Sequence, residues 1–258
     1  MNPSTVDTIT LDITDGVAYL RLNRSPLNIL TLEMIRELKE KLEELAGQIS
    51  LKALVLATNG KAFCAGVDVF DHLPERVEPM IREFGSLFTR LRTFPVPTIA
   101  VVQGAALGGG TELAIACDLV LAGAAARFGQ PEIRLGVFPP IAAALFPHLI
   151  GYQQAARLLF TGETISANEA VQLGLITFAV ADEEVMLKLE HLLNQFRGLS
   201  AAALRIAKRA LLYGAAQEVE RALPWIEDLY LKESMATSDA SEGISAFMQK
   251  RRPTWTDR

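Results

Sequence analysis

Two glutamates interrupt an apolar part of the chain that runs from Thr98 to Pro140. Glu112 follows the glycines at 108–110 and precedes an apolar run at 113–117, and Glu132 stands twenty positions further on. A carboxylate within an apolar helix is energetically costly unless it performs a task. The two side chains therefore indicate general acid–base chemistry.

Two glycine-containing segments complement these carboxylates. Gly104–Gly110 leads into a predicted helix, and Ala65-Gly66 lies in the loop after a predicted buried strand. A glycine turn at the start of a helix leaves backbone N–H groups unpaired, which suits an anionic oxygen. If the two segments converge, the N–H groups of Val67 and Gly109 would bind one carbonyl oxygen and stabilise an oxyanion.

Each of these residues also has a purely structural interpretation. The glycines at 108–110 could permit close packing of a helix on a strand. Glu112 could face solvent, and Glu132 could occupy a surface turn. Asp68 could simply cap the segment that follows it. The order and spacing of the whole set favour the functional interpretation.

Length, composition and net charge indicate the broad class of protein to which the chain belongs. The chain has 258 residues, half of them apolar, and a net charge of −5, which suits one large domain and argues against nucleic-acid binding. No uncharged apolar stretch of about 20 residues predicts a membrane span, and the N-terminus shows no secretory signal. The two cysteines form no CxxC pair, so we expect a cytoplasmic protein.

Familiar catalytic and cofactor motifs are absent from the sequence. It contains no GxxxxGK[ST] phosphate loop, no GxGxxG dinucleotide fingerprint and no GxSxG nucleophile elbow. The three histidines, His72, His148 and His191, show no metal-ligand spacing. We interpret them as surface or capping residues, and the sequence predicts neither a metal site nor a redox cofactor.

The hydrophobic pattern predicts an α/β domain. Alternating residues at 6–13 and 17–23 flank Asp15-Gly16 and predict a hairpin. Thr31 is suited to cap a helix that ends near Gly47. Further strands are predicted at 53–57, 98–102 and 118–122, and further helices at 76–92 and 111–117. Alternating strands and helices are typical of sheets covered by helices.

Beyond Pro140 the pattern is mostly helical, with one short strand at 176–180. Helices are predicted at 152–160, 166–173, 186–196, 201–213, 218–235 and 242–250. A row of helices after the last strand indicates an appendage that packs on the domain or on another subunit. Its apolar stripes, for example Leu204, Ala207 and Leu211, need burial that a trimer or larger oligomer would supply.

Five motifs resemble those of the crotonase, or enoyl-CoA hydratase, superfamily. Three carry most of the resemblance: AFCAGVD at 62–68, QGAALGGGTELAIACDL at 103–119 and RFGQPEIRLGVFP at 127–139. Two others, TGETISANEAVQLGLI at 161–176 and EGISAFMQKRRPTW at 242–255, fit as well. The resemblance covers essentially the whole chain.

This resemblance implies the α/β crotonase fold, a spiral of ββα turns that carries the active site. We expect the spiral at 1–197 and a C-terminal helical trimerisation region at 198–258, assembled as homotrimers or dimers of trimers. It also implies an acyl-CoA thioester as ligand, with coenzyme A as part of the substrate and no separate cofactor.

The resemblance also implies roles for single residues. The thioester oxygen would lie between the N–H groups of Val67 and Gly109. The Ala65 carbonyl would meet the adenine of coenzyme A, and Gly66 and Asp68 belong to the same substrate-binding loop.

The carboxylates distinguish members of this superfamily. Hydratases carry two glutamates twenty residues apart, whereas simple double-bond isomerases usually keep only the second. The presence of both Glu112 and Glu132 therefore favours water addition or its reverse.

Within the family, the chain most resembles hydratases of a cyclic conjugated dienoyl-CoA from anaerobic benzoyl-CoA degradation. The shared segments are 71–74, 128–138 and 229–247. Ordinary hydratases have a GTIPGAGG-like segment after the second glutamate, where this chain has GVFPPIAAALFPHLIG at 136–151. Within it, Pro139 and Pro140 remove two backbone donors, and we expect a stiff apolar wall shaped for a ring.

Two other functions are compatible with the resemblance. One is a general enoyl-CoA hydratase or isomerase acting on linear or other acyl chains. The other is a non-catalytic CoA- or RNA-binding homologue. Retention of both glutamates argues against an inactive enzyme, and the acidic composition argues against RNA.

Overall fold

The computed structural model describes residues 7–73, 75–217, 232–233 and 236–256. The helix predicted at 218–235 lies almost wholly outside the described residues. The described chain forms two β-sheets that are covered by helices. The α/β class predicted from the sequence is confirmed.

Nine strands are described. They are β1 (Ile9–Thr14), β2 (Val17–Leu22), β3 (Ala53–Thr58), β4 (Thr98–Val102), β5 (Ala105–Leu107), β6 (Leu119–Gly123), β7 (Arg127–Gly129), β8 (Thr164–Ser166) and β9 (Phe178–Val180).

The α-helices of the described chain number nine as well. They are α1 (Leu32–Ala46), α2 (Val77–Arg92), α3 (Gly109–Ile115), α4 (Pro140–Ile150), α5 (Tyr152–Thr161), α6 (Ala167–Leu173), α7 (Val185–Arg197), α8 (Ala201–Ala215) and α9 (Ser238–Met248). Short 3-10 turns occur at Val69–His72, Pro131–Leu135 and Asp182–Glu184.

The larger sheet has the strand order β1-β2-β3-β4-β6-β9. Strands β1 and β2 pair antiparallel, and every later neighbour in this sheet pairs parallel. The smaller sheet has the order β5-β7-β8. The chain leaves β4 for β5, returns in β6 and leaves again for β7, so the two sheets are built in alternation.

Local signals define several elements where the sequence predicts them. Asp15 and Gly16 both have positive φ, as a tight hairpin turn between right-twisted strands requires. The Thr31 hydroxyl accepts a hydrogen bond from the Met34 N–H and caps α1. Ser166 caps α6 in the same way, and Gly174 ends that helix in the left-handed region.

Other elements differ from the sequence prediction. Helix α3 begins at Gly109, two residues before the predicted start, because Gly108 at φ +54 turns the chain directly into the helix. The short strands β5, β7 and β8 have no strong alternating pattern and are missing from the prediction. The segment at 136–151, expected to be a stiff apolar wall, contains helix α4, which no sequence pattern predicted. Pro139 precedes this helix and Pro140 is its first residue, where no backbone donor is lost from the helix.

Both faces of the larger sheet are buried. On one face, side chains such as Leu20, Leu54 and Leu56 pack with the apolar stripe of α1. On the other face, Val55 and Ile99 pack with residues of α7. Strand β4 is fully buried, as expected for the centre of a parallel sheet.

Helix α8 is attached to the sheet through an ion pair between the buried Lys208 and the more exposed Asp118. The Lys208 ammonium lies 2.7 Å from Asp118 Oδ2 and donates to the Val96 carbonyl at 3.0 Å. Asp118 also accepts hydrogen bonds from the backbone and hydroxyl of Thr98.

Among the described residues, no helix is both long and apolar enough to cross a membrane.

Candidate active site

Two loops that are distant in sequence meet beside β5. The Cys64 N–H donates to the Ala105 carbonyl at 3.0 Å, and the Leu107 N–H donates to the Cys64 carbonyl at 2.9 Å. These bonds place the loop at 62–68 next to the glycine turn at 108–110. The convergence that the oxyanion hypothesis requires is present.

The backbone of Val67 is oriented by its neighbours on either side. The Leu30 N–H donates to the Gly66 carbonyl at 2.9 Å, and the Asp68 N–H donates to the Leu30 carbonyl at 2.8 Å. In such a parallel bridge the N–H of the middle residue points away from its partner strand. The Val67 N–H is therefore directed away from Leu30.

Gly109 supplies the second backbone donor. It is the first residue of α3, so its N–H has no acceptor within the helix. A Cβ built on Gly109 would lie 2.8 Å from Val67 Cγ2, which shows how closely the two residues approach. The N–H groups of Val67 and Gly109 thus belong to adjoining backbone segments.

Asn28 holds the first loop in place. It is completely buried and adopts a left-handed conformation at φ +50. Its amide nitrogen donates to the carbonyls of Asn59 and Ala62, and its Oδ1 accepts from the Arg24 N–H. Sequence reasoning missed this residue, because a single asparagine near a predicted turn shows nothing about partners 31 and 34 positions away.

Glu112 is buried within α3, with 3% of its surface exposed. Its Oε1 accepts a hydrogen bond of 2.8 Å from the Ala142 N–H at the start of α4. Burial is the main reason that its pKa rises from 4.5 to about 7, and the charge of Glu132 raises it further. The solvent-facing alternative for Glu112 is wrong, and the group is poised to exchange a proton near neutral pH.

Glu132 lies in the 3-10 turn at Pro131–Leu135 and is half-buried. Its carboxylate lies against the α-carbon of Gly108, where a side chain would collide with Oε1. Desolvation raises the pKa of Glu132. The charge of Glu132 also raises the pKa of Glu112, so the two carboxyls interact electrostatically.

Gln130 lies next to the Glu132 carboxylate and can donate hydrogen bonds to it. It is completely buried, and its amide faces the Glu132 carboxylate. With the amide nitrogen turned toward that group, it donates to Oε2 at 3.1 Å and to Oε1 at 3.3 Å. Nothing in the sequence assigns a role to Gln130, because its contact with Glu132, a predicted catalytic residue, exists only in the folded chain.

Asp68 caps the 3-10 turn that follows the loop. Its Oδ1 accepts from the Phe70 N–H at 3.1 Å, and its Oδ2 lies 3.9 Å from an Arg24 nitrogen. Asp68 therefore caps this turn, which is one of the two roles that the sequence allows for it. Ala65 and Gly66 lie in the same loop, and the Ala65 N–H is held by the Leu27 carbonyl at 3.0 Å.

The segment after Glu132 forms part of the same region. Pro139 is buried, whereas Phe138 is 67% exposed. Pro140 begins α4, and Ile141 and Ala142 direct their N–H groups toward Glu112. Within the described residues, no cluster of histidine, cysteine, aspartate or glutamate could hold a metal ion.

Comparisons with known proteins agree with this geometry. The sequence model of the enoyl-CoA hydratase/isomerase family matches residues 12–258. A cyclohexa-1,5-dienecarbonyl-CoA hydratase of Thauera aromatica is 37% identical over 250 residues, covering 97% of this chain and 96% of the relative. A crotonyl-CoA hydratase of Syntrophomonas wolfei is 32% identical over 260 residues, covering 98% of this chain and 99% of the relative.

The solved structures give the same result. An enoyl-CoA hydratase from Bacillus anthracis superposes with a TM-score of 0.92 at 31% identity, covering 97% of this chain and all of that one. The fold is therefore the predicted α/β crotonase fold, with helices at its C-terminal end.

Together the fold and the paired carboxyls define an enzyme of acyl-CoA thioesters, and the chain belongs to the enoyl-CoA hydratase/isomerase family. Its activity is of the enoyl-CoA hydratase type, that of a hydro-lyase.

Proposed function

We propose that the protein adds water to a cyclic conjugated dienoyl-CoA, converting cyclohexa-1,5-diene-1-carbonyl-CoA to 6-hydroxycyclohex-1-ene-1-carbonyl-CoA. The observation that carries this proposal is the 37% identity, over nearly the full length, with a relative named for that substrate. The presence of two carboxyls, one of them deeply buried, supports a hydration.

The backbone donors stabilise the charge that develops on the thioester. In this proposal the substrate carbonyl oxygen lies between the N–H groups of Val67 and Gly109, two residues that approach each other closely in the structure. Nucleophilic attack at the β-carbon moves electrons onto this oxygen and gives a dienolate. Fixed donors of this kind contribute about 3–4 kcal/mol each to lowering such a barrier.

The two glutamates hold the water and move its protons. One carboxylate takes a proton from the water while the oxygen bonds to the β-carbon. The other, in its protonated form, delivers a proton to the far γ-carbon, so that the hydroxyl and the new hydrogen add across the conjugated system. The raised pKa of about 7 at Glu112 is consistent with a pair that holds one proton at neutral pH.

The start of α4 supports selectivity for a ring. Pro139 and Pro140 restrict the backbone beside Glu112, and Ile141 packs against the core. We propose that this segment replaces the flexible glycine-rich wall of linear-chain hydratases. Replacing 136–144 with a glycine-rich sequence should raise the activity on linear enoyl-CoA, and unchanged selectivity would contradict the role of this wall.

We also propose that the chain assembles as a homotrimer or a dimer of trimers through the region at 198–258. Helix α7 ends at Gly198, where this proposed region begins. Leu211 on α8 is 69% exposed in the single chain, and a neighbouring subunit would bury it. Light scattering of the purified protein tests the assembly.

Within the subunit, we propose that coenzyme A is bound by the loop residues Ala65, Gly66 and Asp68.

Parallel assays with two substrates test which acyl-CoA the protein prefers. Purified protein is given cyclohexa-1,5-diene-1-carbonyl-CoA or crotonyl-CoA, and the products are followed by chromatography and mass. A strong preference for the cyclic diene supports the proposal. A preference for crotonyl-CoA overturns it and favours the second candidate, a general hydratase, to which the similarity with the Syntrophomonas wolfei protein points.

Variants test the roles of the two glutamates. Glu112→Gln and Glu132→Gln should each keep the fold and the binding of an unreactive acyl-CoA while losing most of the turnover. Full activity in either variant would refute the role proposed for that residue.

A further inference from the structure

The two glutamates of the proposed site stand on separate elements. Glu112 belongs to helix α3, and Glu132 lies in the 3-10 turn that follows strand β7. Between them the chain crosses to the larger sheet in β6 and returns to the smaller sheet in β7. The separation of the two carboxyls therefore depends on the contacts that hold α3 against β7.

Thr111 makes such a contact. It is the third residue of α3, directly before Glu112, and it is completely buried. Its hydroxyl lies 2.6 Å from the carbonyl oxygen of Ala106 on β5 and 3.1 Å from that of Gly129 on β7. The Gly129 N–H lies 3.3 Å from the same hydroxyl. Since a hydroxyl has one hydrogen to donate and two lone pairs that accept, this group is bonded to both strands.

Other threonines of the described helices form a different bond. A threonine within a helix often donates to the backbone carbonyl four residues earlier in the same helix. Thr89 on α2 and Thr161 on α5 do so, with the carbonyls of Gly85 and Arg157 as acceptors. The Thr111 hydroxyl instead joins its helix to two strands of the smaller sheet.

The backbone between Gly129 and Glu132 is short and restrained. Gly129 ends β7, and its carbonyl also accepts a hydrogen bond from the Gly108 N–H at 2.8 Å. Pro131, directly before Glu132, has its φ angle fixed by its ring. A displacement of Gly129 is therefore passed on to the Glu132 carboxylate.

We propose that Thr111 is a positioning residue for the hydration: its hydroxyl ties the helix that carries Glu112 to the strand that leads to Glu132, and so fixes the separation of the two carboxyls. The inference rests on the proposed roles of both glutamates in moving protons. The hydroxyl is fully enclosed and bonds to backbone atoms, so it acts through the glutamates. A displacement of about 1 Å between reacting groups lowers a rate by about a hundredfold.

The test removes the hydroxyl while keeping the shape of the side chain. Thr111→Val replaces the hydroxyl by a methyl group, whereas Thr111→Ser keeps the hydroxyl and loses the methyl group. With the enoyl-CoA that the wild type turns over fastest, we expect kcat to fall by about tenfold or more in Thr111→Val and to stay within about threefold in Thr111→Ser. The affinity for a saturated acyl-CoA, whose binding involves no proton transfer, should be the same in all three proteins.

Thr98→Val is the matched control. Thr98 on β4 is also completely buried, and its hydroxyl donates to the Asp118 carboxylate at 3.0 Å and accepts from the Asp118 N–H at 2.8 Å. This pair belongs to the larger sheet. Both valine variants should unfold at a lower urea concentration than the wild type, but Thr98→Val should keep the wild-type kcat. A purely structural role of Thr111 would lower the stability of its variant and leave kcat unchanged.

Hydrogen exchange tests the same contact without a substrate. Peptides that span 127–132 are followed by mass spectrometry after transfer of the protein to heavy water. Their amides should exchange faster in Thr111→Val than in the wild type, because Gly129 has lost a bond to α3. The exchange should keep the wild-type rate in Thr111→Ser and in Thr98→Val.

A wild-type kcat in folded Thr111→Val, or unchanged exchange at 127–132, would overturn the proposal. If the valine variant does not fold, Thr111→Ala gives the same comparison, because it removes the same hydroxyl and alanine favours a helix.

A failure of the proposed function gives a different result. It would appear as full turnover in Glu112→Gln or Glu132→Gln, whatever the substitution at position 111 does. A preference for crotonyl-CoA over the cyclic diene leaves the comparison intact, because each variant is measured against the wild type with the same substrate.

Discussion

The backbone N–H of Ala142 donates a 2.8 Å hydrogen bond to Glu112 Oε1. Ala142 is the third residue of α4, and the N–H groups of the first helical turn have no partner within their own helix. The bond favours the charged form of Glu112, whereas burial favours the neutral form. The hydrogen bond from the first turn of α4 thus lowers the pKa of Glu112 and opposes the effect of burial.

This balance predicts how stability depends on pH. The Glu112 carboxyl keeps its proton up to about pH 7 when folded, against a usual pKa of 4.5. Between these values the folded state binds more protons, so the free energy of unfolding falls as pH rises, by about 3 kcal/mol in total. Denaturant titrations of the wild type and Glu112→Gln should show this slope in the wild type alone.

The matched control is Glu40→Gln, at an exposed position on α1. It should keep the slope of the wild type. Identical pH dependence in Glu112→Gln and the wild type would show that the pKa of Glu112 is not raised by folding.

Gly109→Ala should displace one of the proposed oxyanion donors. The added Cβ would lie 2.8 Å from Val67 Cγ2 and 3.2 Å from Phe84 Cζ, so one of the segments must move. We expect kcat/KM to fall by about a hundredfold, as when one oxyanion donor is removed. Steady-state kinetics with the preferred enoyl-CoA measures the change.

Gly85→Ala controls for the general effect of this substitution. Gly85 lies within α2, and a Cβ there meets nothing within 4 Å. Because alanine favours helix over glycine, this variant should be more stable by about 0.5–1 kcal/mol with unchanged kinetics. Equal activity in both alanine variants would contradict the placement of the Gly109 donor.

Lys208→Met should weaken the attachment of α8 to the sheet. The change leaves Asp118 without its cation while Thr98 still donates to it. We expect a loss of about 2 kcal/mol in the free energy of unfolding, less than for a fully buried pair because Asp118 is partly exposed.

Urea unfolding measures this effect against Lys41→Met. Lys41 forms a more exposed pair with Glu44 on the surface of α1, and its removal should change stability by less than about 0.5 kcal/mol. If the two methionine variants are equally stable, the Lys208 pair does not hold α8.

Both thiols should be inert in the folded protein. Cys64 and Cys117 are buried, and burial raises the pKa of each to about 12. Since the thiolate is the reactive form, iodoacetamide at pH 8 should modify neither residue until denaturant is added. Mass spectrometry counts the adducts, and a labelled native protein would contradict this burial.

The elements that sequence reasoning predicts correctly are those whose signals are local. The start of α1 depends on Thr31, and both ends of α6 depend on Ser166 and Gly174, all within a few residues of the helices that they bound. Helix α4 was missed because its prolines are breakers in most contexts, although Pro140 is compatible with a helical first turn.

The same distinction applies to the site. Glu112 and Glu132 were predicted because their residue types conflict with apolar surroundings that are visible in the sequence. The roles of Asn28 and Gln130 depend on the partners that tertiary folding provides. A sequence shows which groups can donate or titrate, but the fold decides which of them meet.

The two proposed oxyanion donors are the backbone N–H groups of Val67 and Gly109. A change of side chain does not remove a backbone donor, but the two positions differ in how much space they leave for a side chain. Any residue except proline supplies an N–H at position 67, so the Val67 side chain is free to vary during evolution as the acyl group changes. Gly109 has less freedom, because a Cβ there would lie 3.2 Å from Phe84 Cζ and, as long as valine stands at position 67, 2.8 Å from Val67 Cγ2. Of the two positions that supply the proposed anion-binding donors, the first therefore accepts more side chains than the second.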